Sequence, residues 1–237
     1  STEHIIMDNA AQTGVAIILA DAQGNNAILC VPGTNFYFTP EDFSRNIELI
    51  QRAQWMCFVL ETNQDIVEYG IRRAKEMGVK TFLDPSPAAT LSDDVYKCLD
   101  LIKPNEYQAT VLTGITVTDE ASALAAGRKL LEKGAGAAII TLGGNGSVLV
   151  TDSFQYYFAT PKVTVVDTTS AGDVFGGTLV SMLNQGKDIV TAVAYASCAG
   201  ALATTKIKPI LDVLPQRSAV ENLVKGYLRD QSNIRPL

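Results

Sequence analysis

Apolar residues fall into short unbroken runs separated by amphipathic stretches, and the two alternate along most of the chain. Residues 15–20 and 27–31 are two such runs joined by Asp21-Ala22-Gln23-Gly24-Asn25-Asn26, a spacing that predicts a hairpin. Thr39-Pro40-Glu41-Asp42 predicts a helix start, with a hydroxyl N-cap, a proline in the first turn and acids that suit the dipole. Further strands are predicted over 55–60, 79–83, 99–102, 137–141, 147–150 and 156–159, and helices over 65–77, 106–112, 120–133, 174–184, 189–204 and 218–228. The β-branched run 163–166 predicts one more strand. Apolar strands alternating with helices imply a mostly parallel sheet covered on both faces. Ligands of such sheets collect at the carboxyl ends of strands. Glu61, Asp84, Asn105, Gly143 and Asp173 each follow a predicted strand end, so one cleft can hold all five.

The segment after 163–166 reads Asp167-Thr168-Thr169-Ser170-Ala171-Gly172-Asp173, then Val174-Phe175-Gly176-Gly177. Small residues open an apolar helix here. The first turn of a helix has amides without intrahelical partners and sits at the positive end of the macrodipole. Ser170, Ala171 and Gly172 therefore offer donors to an anion, and Asp173 places a carboxylate beside them. That pairing suits phosphoryl transfer, in which amides hold the moving charge and Asp173 accepts the proton of the attacking hydroxyl. The same residues also fit an ordinary strand-to-helix turn whose acid serves the dipole alone.

Composition narrows the field. Of 237 residues, 47% are hydrophobic and 19% charged, enough for one α/β domain with a substantial core. The net charge of −6 argues against sequence-independent binding of nucleic acid, which needs a basic face. No apolar run approaches the roughly 18 residues that span a bilayer, and no signal-like segment opens the sequence. Cys30, Cys57, Cys98 and Cys198 are widely spaced in apolar surroundings and read as buried free thiols, so the expected setting is the cytoplasm. With His4 as the only histidine, a Ser-His-Asp triad or a histidine metal site is not expected.

The run Asp167–Asp173, with the phenylalanine and paired glycines that follow, resembles the C-terminal signature of the PfkB/ribokinase family of sugar kinases. Further blocks match in order: Gly14-Val15-Ala16, Gly24-Asn25-Asn26-Ala27-Ile28 and Pro32-Gly33-Thr34-Asn35; Leu60-Glu61; Asp84-Pro85-Ser86-Pro87-Ala88; Lys103-Pro104-Asn105-Glu106 with Leu112-Thr113-Gly114; and Thr141-Leu142-Gly143-Gly144-Asn145-Gly146. The resemblance covers nearly the whole chain. It implies a single ribokinase-like α/β domain over 1–237, with a mostly parallel sheet and helices on both faces, lacking the family's N-terminal strand and lid.

The resemblance also implies ATP-dependent phosphorylation of a sugar hydroxyl, with Asp173 as general base and Ser170, Ala171 and Gly172 as the anion hole. Asn105 and residues Thr141, Leu142, Gly143, Gly144, Asn145 and Gly146 then face the nucleotide, and Ser197 lies near the adenine. Glu61 and Asp173 meet the sugar. Asp167 and Thr169 match positions that hold a monovalent cation such as K+, and Gln108 stands where a glutamate orders water on Mg2+. Three departures bear on activity. Gln108 brings no negative charge to a divalent cation. Ser170 replaces a glycine, a change expected to be mild because the amide is kept. The Gly-Ala-x-x-Ser stretch that completes the cation site is not recognisable in 206–213. The alternative is a degenerate relative that binds nucleotide or a partner chain without phosphorylating sugar. An uncovered sheet edge further predicts a homo-oligomer or another partner.

Overall fold

The computed structural model describes residues 2–9, 11–20, 26–206 and 214–237. Seven strands form one sheet: β3 (Trp55–Val59), β4 (Lys80–Asp84), β5 (Leu101–Ile102), β6 (Ala137–Thr141), β7 (Ser147–Thr151), β8 (Gln155–Phe158) and β9 (Ile234–Pro236), in that spatial order. β3 to β6 run parallel, and β7 to β9 extend the sheet antiparallel. The α/β class expected, with a parallel run of strands and helices on both faces, is the one observed.

Alternation along each strand explains why the runs are apolar throughout. Ala138 and Ile140 of β6, with Leu83, Ile102, Val148 and Val150, enter a core shared with α3 (Gln64–Glu76), α5 (Glu106–Thr113) and α6 (Glu120–Glu132). Ala137 and Ile139, with Phe82, Leu101, Leu149 and Phe158, enter a second core on the opposite face, against α7 (Ala171–Asn184) and α8 (Ile189–Ala203). α8 packs in turn on α9 (Arg217–Arg229). Residues of β4, β5 and β6 thus meet a helix whichever way they point, while Cys57 and Val59 of the edge strand β3 are exposed.

Helix starts follow their capping chemistry. Thr39 Oγ1 accepts from the Asp42 amide and Asp42 returns the bond, which opens α1 (Pro40–Arg45) with proline in its first turn. Two short helices, α2 (Ile47–Arg52) and α4 (Asp93–Tyr96), and the strand β9 are present without having been predicted. All three span six residues or fewer, too few for a period to register. His4 Nδ1 lies 2.8 Å from Asn46 Oδ1 at the junction of α1 and α2.

Two expectations need correction. Residues 163–166 form no strand: Val165 and Val166 are exposed, and the amides of Val166 and Asp167 both donate to the carbonyl of Thr204 at the end of α8. A β-branched run without a cross-strand neighbour does not make a strand. The thiols are not uniformly buried either, since Cys30 and Cys57 are exposed, Cys98 is half-buried and only Cys198 lies inside, where burial pushes its pKa up to about 12.

The predicted hairpin is present as β1 (Thr13–Ala20) and β2 (Asn26–Gly33), a separate two-stranded antiparallel sheet whose loop at 21–25 lies outside the described residues. Its register pairs Val15 with Val31 and Ile17 with Leu29. Directly paired residues share a face, and so do alternate residues along a strand. Val15, Ile17, Leu19, Leu29 and Val31 therefore line one face of the ribbon, and they are 47–64% exposed.

Candidate phosphoryl-transfer site

The parallel strands end on one side of the sheet, and the first turn of α7 lies over those ends. Asp84 closes β4, and Lys103 follows β5 with its amide bonded to the carbonyl of Leu83. This register sets the two side chains side by side, with Lys103 Nζ 2.7 Å from Asp84 Oδ2 and both residues buried. A Cβ built on Gly172 would stand 3.5 Å from that Nζ, and one on Gly176 would stand 3.9 Å from Lys103 Cε. The lysine thus runs beneath the first turns of α7, with Phe82 the nearer neighbour at Gly176.

Glu61, just past β3, shares this region. Its carboxyl is raised above the ordinary glutamate value by desolvation, then by the charges of Asp173 and Asp84. Asp84 is raised too, because burial outweighs the stabilisation from Lys103, with Asp173 adding repulsion. Glu61, Asp84, Lys103 and Asp173 are therefore one electrostatic group, which Glu61 and Asp84 enter from strand ends and Asp173 from the first turn of α7. Lys103 appears in the sequence only as part of a matching block. Its role becomes visible once β4 and β5 are in register.

The anion-binding turn differs in detail from expectation. The Ala171 amide donates to Thr168 O at 3.2 Å, so it is not free. Among the described residues the amides of Ser170, Gly172 and Asp173 have no acceptor, and they are the donors the turn offers. Ser170 sits at φ 63°, the one non-glycine residue with positive φ among those described. Its substitution for glycine is not mild, since a left-handed conformation costs a side-chain-bearing residue about 1–2 kcal/mol. Asp167 Oδ1 accepts from the Thr169 amide at 2.9 Å, and bonds from Thr169 hold the carboxyl below its ordinary range. One carboxylate oxygen of Asp167 is thereby engaged within the turn, and 207–213, where the rest of a monovalent-cation site was sought, lie outside the described residues.

A second cluster joins Asn105 to the glycine loop. Asn105 and Thr141 form a parallel bridge, and the Thr141 amide donates to Pro104 O at 3.0 Å. Gly143–Asn145 make one 3-10 turn, held by Tyr157 Oη donating to Asn145 O at 2.9 Å and Thr160 Oγ1 to Gly143 O at 3.1 Å. Gly146, at φ 90°, passes so close to β8 that a Cβ would fall 2.1 Å from Phe158 O. No side chain could stand there. Gly143, Gly144 and Asn145 are exposed, and Glu106 Oε1 lies 3.8 Å from a Cβ built on Gly143. Leu142 does not join this surface: its side chain is in the core and its amide is bonded to Gly146 O. Ser197, half-buried on α8, lies one turn before Gly200, where α8 meets the carbonyl of Ala171.

Gln108 is also already engaged. Its Oε1 accepts from the Asn105 amide and Asn105 Oδ1 accepts from the Gln108 amide, both at 2.8 Å, which caps α5. Among the described residues no group of three or more His, Cys, Asp or Glu is placed to hold a metal ion. Among the described residues the chain therefore supplies no all-protein cage for a divalent cation. No helix is long and apolar enough to cross a membrane among the described residues.

A model described as pfkB family carbohydrate kinase matches residues 1–217. The chain is 37% identical over 223 residues to a bifunctional ribokinase/ribose-5-phosphate isomerase A of Fructilactobacillus sanfranciscensis, covering 94% of this chain and 41% of that protein. It is 35% identical over 206 residues to a ribokinase of Staphylococcus aureus, covering 86% of this chain and 68% of the relative. A solved ribokinase of Arabidopsis thaliana complexed with ribose and ATP is similar at a TM-score of 0.79 and 26% identity, covering 92% of this chain and 70% of that one. The ordered motifs, the sheet and the matched length agree, and the protein belongs to the pfkB family of carbohydrate kinases.

Proposed function

We propose that the chain transfers the γ-phosphoryl group of ATP to a hydroxyl of a sugar of the ribose class. The observation that carries this reading is Asp173 in the first turn of α7, between amides that lack acceptors and within electrostatic reach of Glu61. The relatives named ribokinase, and the solved one complexed with ribose and ATP, support the choice of substrates.

Asp173 accepts the hydroxyl proton as the oxygen forms its bond to the γ-phosphorus. The bond to the bridging oxygen breaks, and its electron pair leaves on ADP. The amides of Gly172 and Asp173 hold the charge of the transferring group. Glu61 accepts from a sugar hydroxyl, and the exposed turn Gly143–Asn145 approaches the nucleotide with backbone. Magnesium, carried on the phosphates, supplies neutralisation of their charge. A monovalent cation such as K+ at Asp167 and Thr169 is a secondary element of this reading.

One observation favours a nucleotide-binding relative without turnover: Gln108 is neutral and locked in a helix cap where the resemblance calls for a glutamate. A second copy of the chain is the proposed partner, seated on the exposed face of the ribbon, and the four free cysteines support a reducing, cytoplasmic setting.

Coupled measurement of ADP release over a panel of pentoses and hexoses tests the proposal. Wild type is expected to turn over a pentose, and Asp173→Asn to lose about 10²–10⁴ in rate, because asparagine keeps the shape but accepts no proton. Full retention of rate by the variant removes Asp173 as the base. Absence of turnover with nucleotide still bound selects the second reading.

A further inference from the structure

Lys103 is 3% exposed, and its one ion-pair partner among the described residues is Asp84, 2.7 Å away. Buried lysines are rare, and an apolar pair of equal volume serves a fold as well or better. The pair also stands where a cation is least comfortable, beneath the positive end of α7. Packing does not explain that placement.

The charges around it do. Glu61 and Asp84 at strand ends and Asp173 in the first turn of α7 form an acidic group, and a phosphate entering it meets like charge. Amide dipoles alone would have to overcome that repulsion. Lys103 is the cation that the structure places inside the group. Asp84 occupies one donor direction of an ammonium that has three. Nζ also lies 6.0 Å from the centroid of the Phe175 ring, and a Cβ built on the exposed Gly172 would stand 3.5 Å from it, so at Gly172 only backbone separates the ammonium from the turn.

We propose that Lys103 is a catalytic residue of the phosphoryl site, its ammonium held by Asp84 so that it contacts the γ-phosphoryl oxygens received by the Gly172 and Asp173 amides. The assignment rests on the proposed kinase reading for its ligand. It deepens that reading by adding a fixed side-chain cation to the amides. Asp84 is then a positioning residue, which holds the ammonium charged and in place inside a buried site.

Calorimetric titration of a non-hydrolysable ATP analogue and of ADP, on wild type and on Lys103→Met/Asp84→Asn, tests it. The double variant leaves no carboxylate unpaired, and ADP binding reports that it is folded. Wild type is expected to prefer the triphosphate, and the variant to lose about 10- to 100-fold of that preference, the worth of a charge-assisted bond. Its ADP affinity is expected to stay within about twofold. Gly172→Ala, which lays a methyl over the ammonium in a helix turn that accepts alanine, is expected to lower the same preference. Equal binding of both nucleotides by wild type overturns the assignment, as does a triphosphate preference that survives in either variant. Sugar turnover is read separately. Lost preference in the variants with no turnover in wild type keeps Lys103 at the phosphate and removes the kinase reading. Turnover undiminished in the double variant keeps the kinase reading and removes Lys103.

Discussion

The ribbon and the central strands are made of similar sequence, yet they end in different states. In β6 the residues Ala137, Ala138, Ile139 and Ile140 are covered from both faces by helices that the neighbouring sequence supplies. In β1 and β2 the residues Val15, Ile17, Leu19, Leu29 and Val31 lie about half exposed or more on one face. In a parallel sheet an apolar strand is satisfied where the crossover connections bring helices to both its faces. A two-stranded ribbon has no such cover and is marginal alone. The central strands are closed by this chain's own helices, and the exposed face of the ribbon is where the proposed second copy would pack.

Substitution in the ribbon breaks that contrast with the largest expected effect. Ile17→Lys puts a charge in the middle of the exposed face, opposite Leu29. Light scattering is expected to show wild type self-associated and the variant monomeric. Stability of the central domain should change by no more than about 0.5 kcal/mol, as for other surface sites. A wild type that stays monomeric over a wide concentration range, binding no dye for exposed apolar surface, shows that the ribbon needs no partner.

A smaller effect sharpens the account of the anion-binding turn. Ser170→Gly relieves a left-handed conformation worth about 1–2 kcal/mol. Glycine returns about 0.5–1 kcal/mol of that as chain entropy. A net gain of about 0.5–1 kcal/mol in denaturant unfolding is expected, with nucleotide affinity kept because the amide remains. A loss of stability shows that the serine side chain contributes more than its backbone costs.

The smallest effect tests the acidic group. Glu61 titrates above its ordinary value of 4.5, so its ionised form is disfavoured in the folded state. Above the folded pKa this lowers stability, and the penalty disappears as pH falls through that value and the carboxyl protonates. Glu61→Gln is accordingly expected to stabilise slightly near neutral pH and to lose that advantage at about pH 4. An advantage that is independent of pH places its origin outside the charges of Asp173 and Asp84.

The strand-end positions of Glu61, Asp84, Asn105 and Gly143 were legible because period and chain order place them without any knowledge of pairing, whereas Asp173, expected after a strand over 163–166, lies in the first turn of α7 with no strand before it. Cap chemistry located α1 from Thr39 and Pro40 in the same way. What was not legible depends on partners distant in sequence. Residues 163–166 look like a strand by propensity, but their amides turn to Thr204 instead of a neighbouring strand. The Ala171 donor is lost to Thr168 in a turn of Ser170, whose dihedral no residue type announces. Lys103 reads as one member of a motif until the register of β4 and β5 sets it against Asp84.

Whether the nucleotide end of the cleft is complete within this chain is read most directly by calorimetric titration of wild type with ADP in the presence of magnesium. The geometry at Gly143–Asn145 and at the open amides of α7 predicts saturable binding at one site, with Kd below about 1 mM, tighter than about −4 kcal/mol. No heat at millimolar ADP would contradict it.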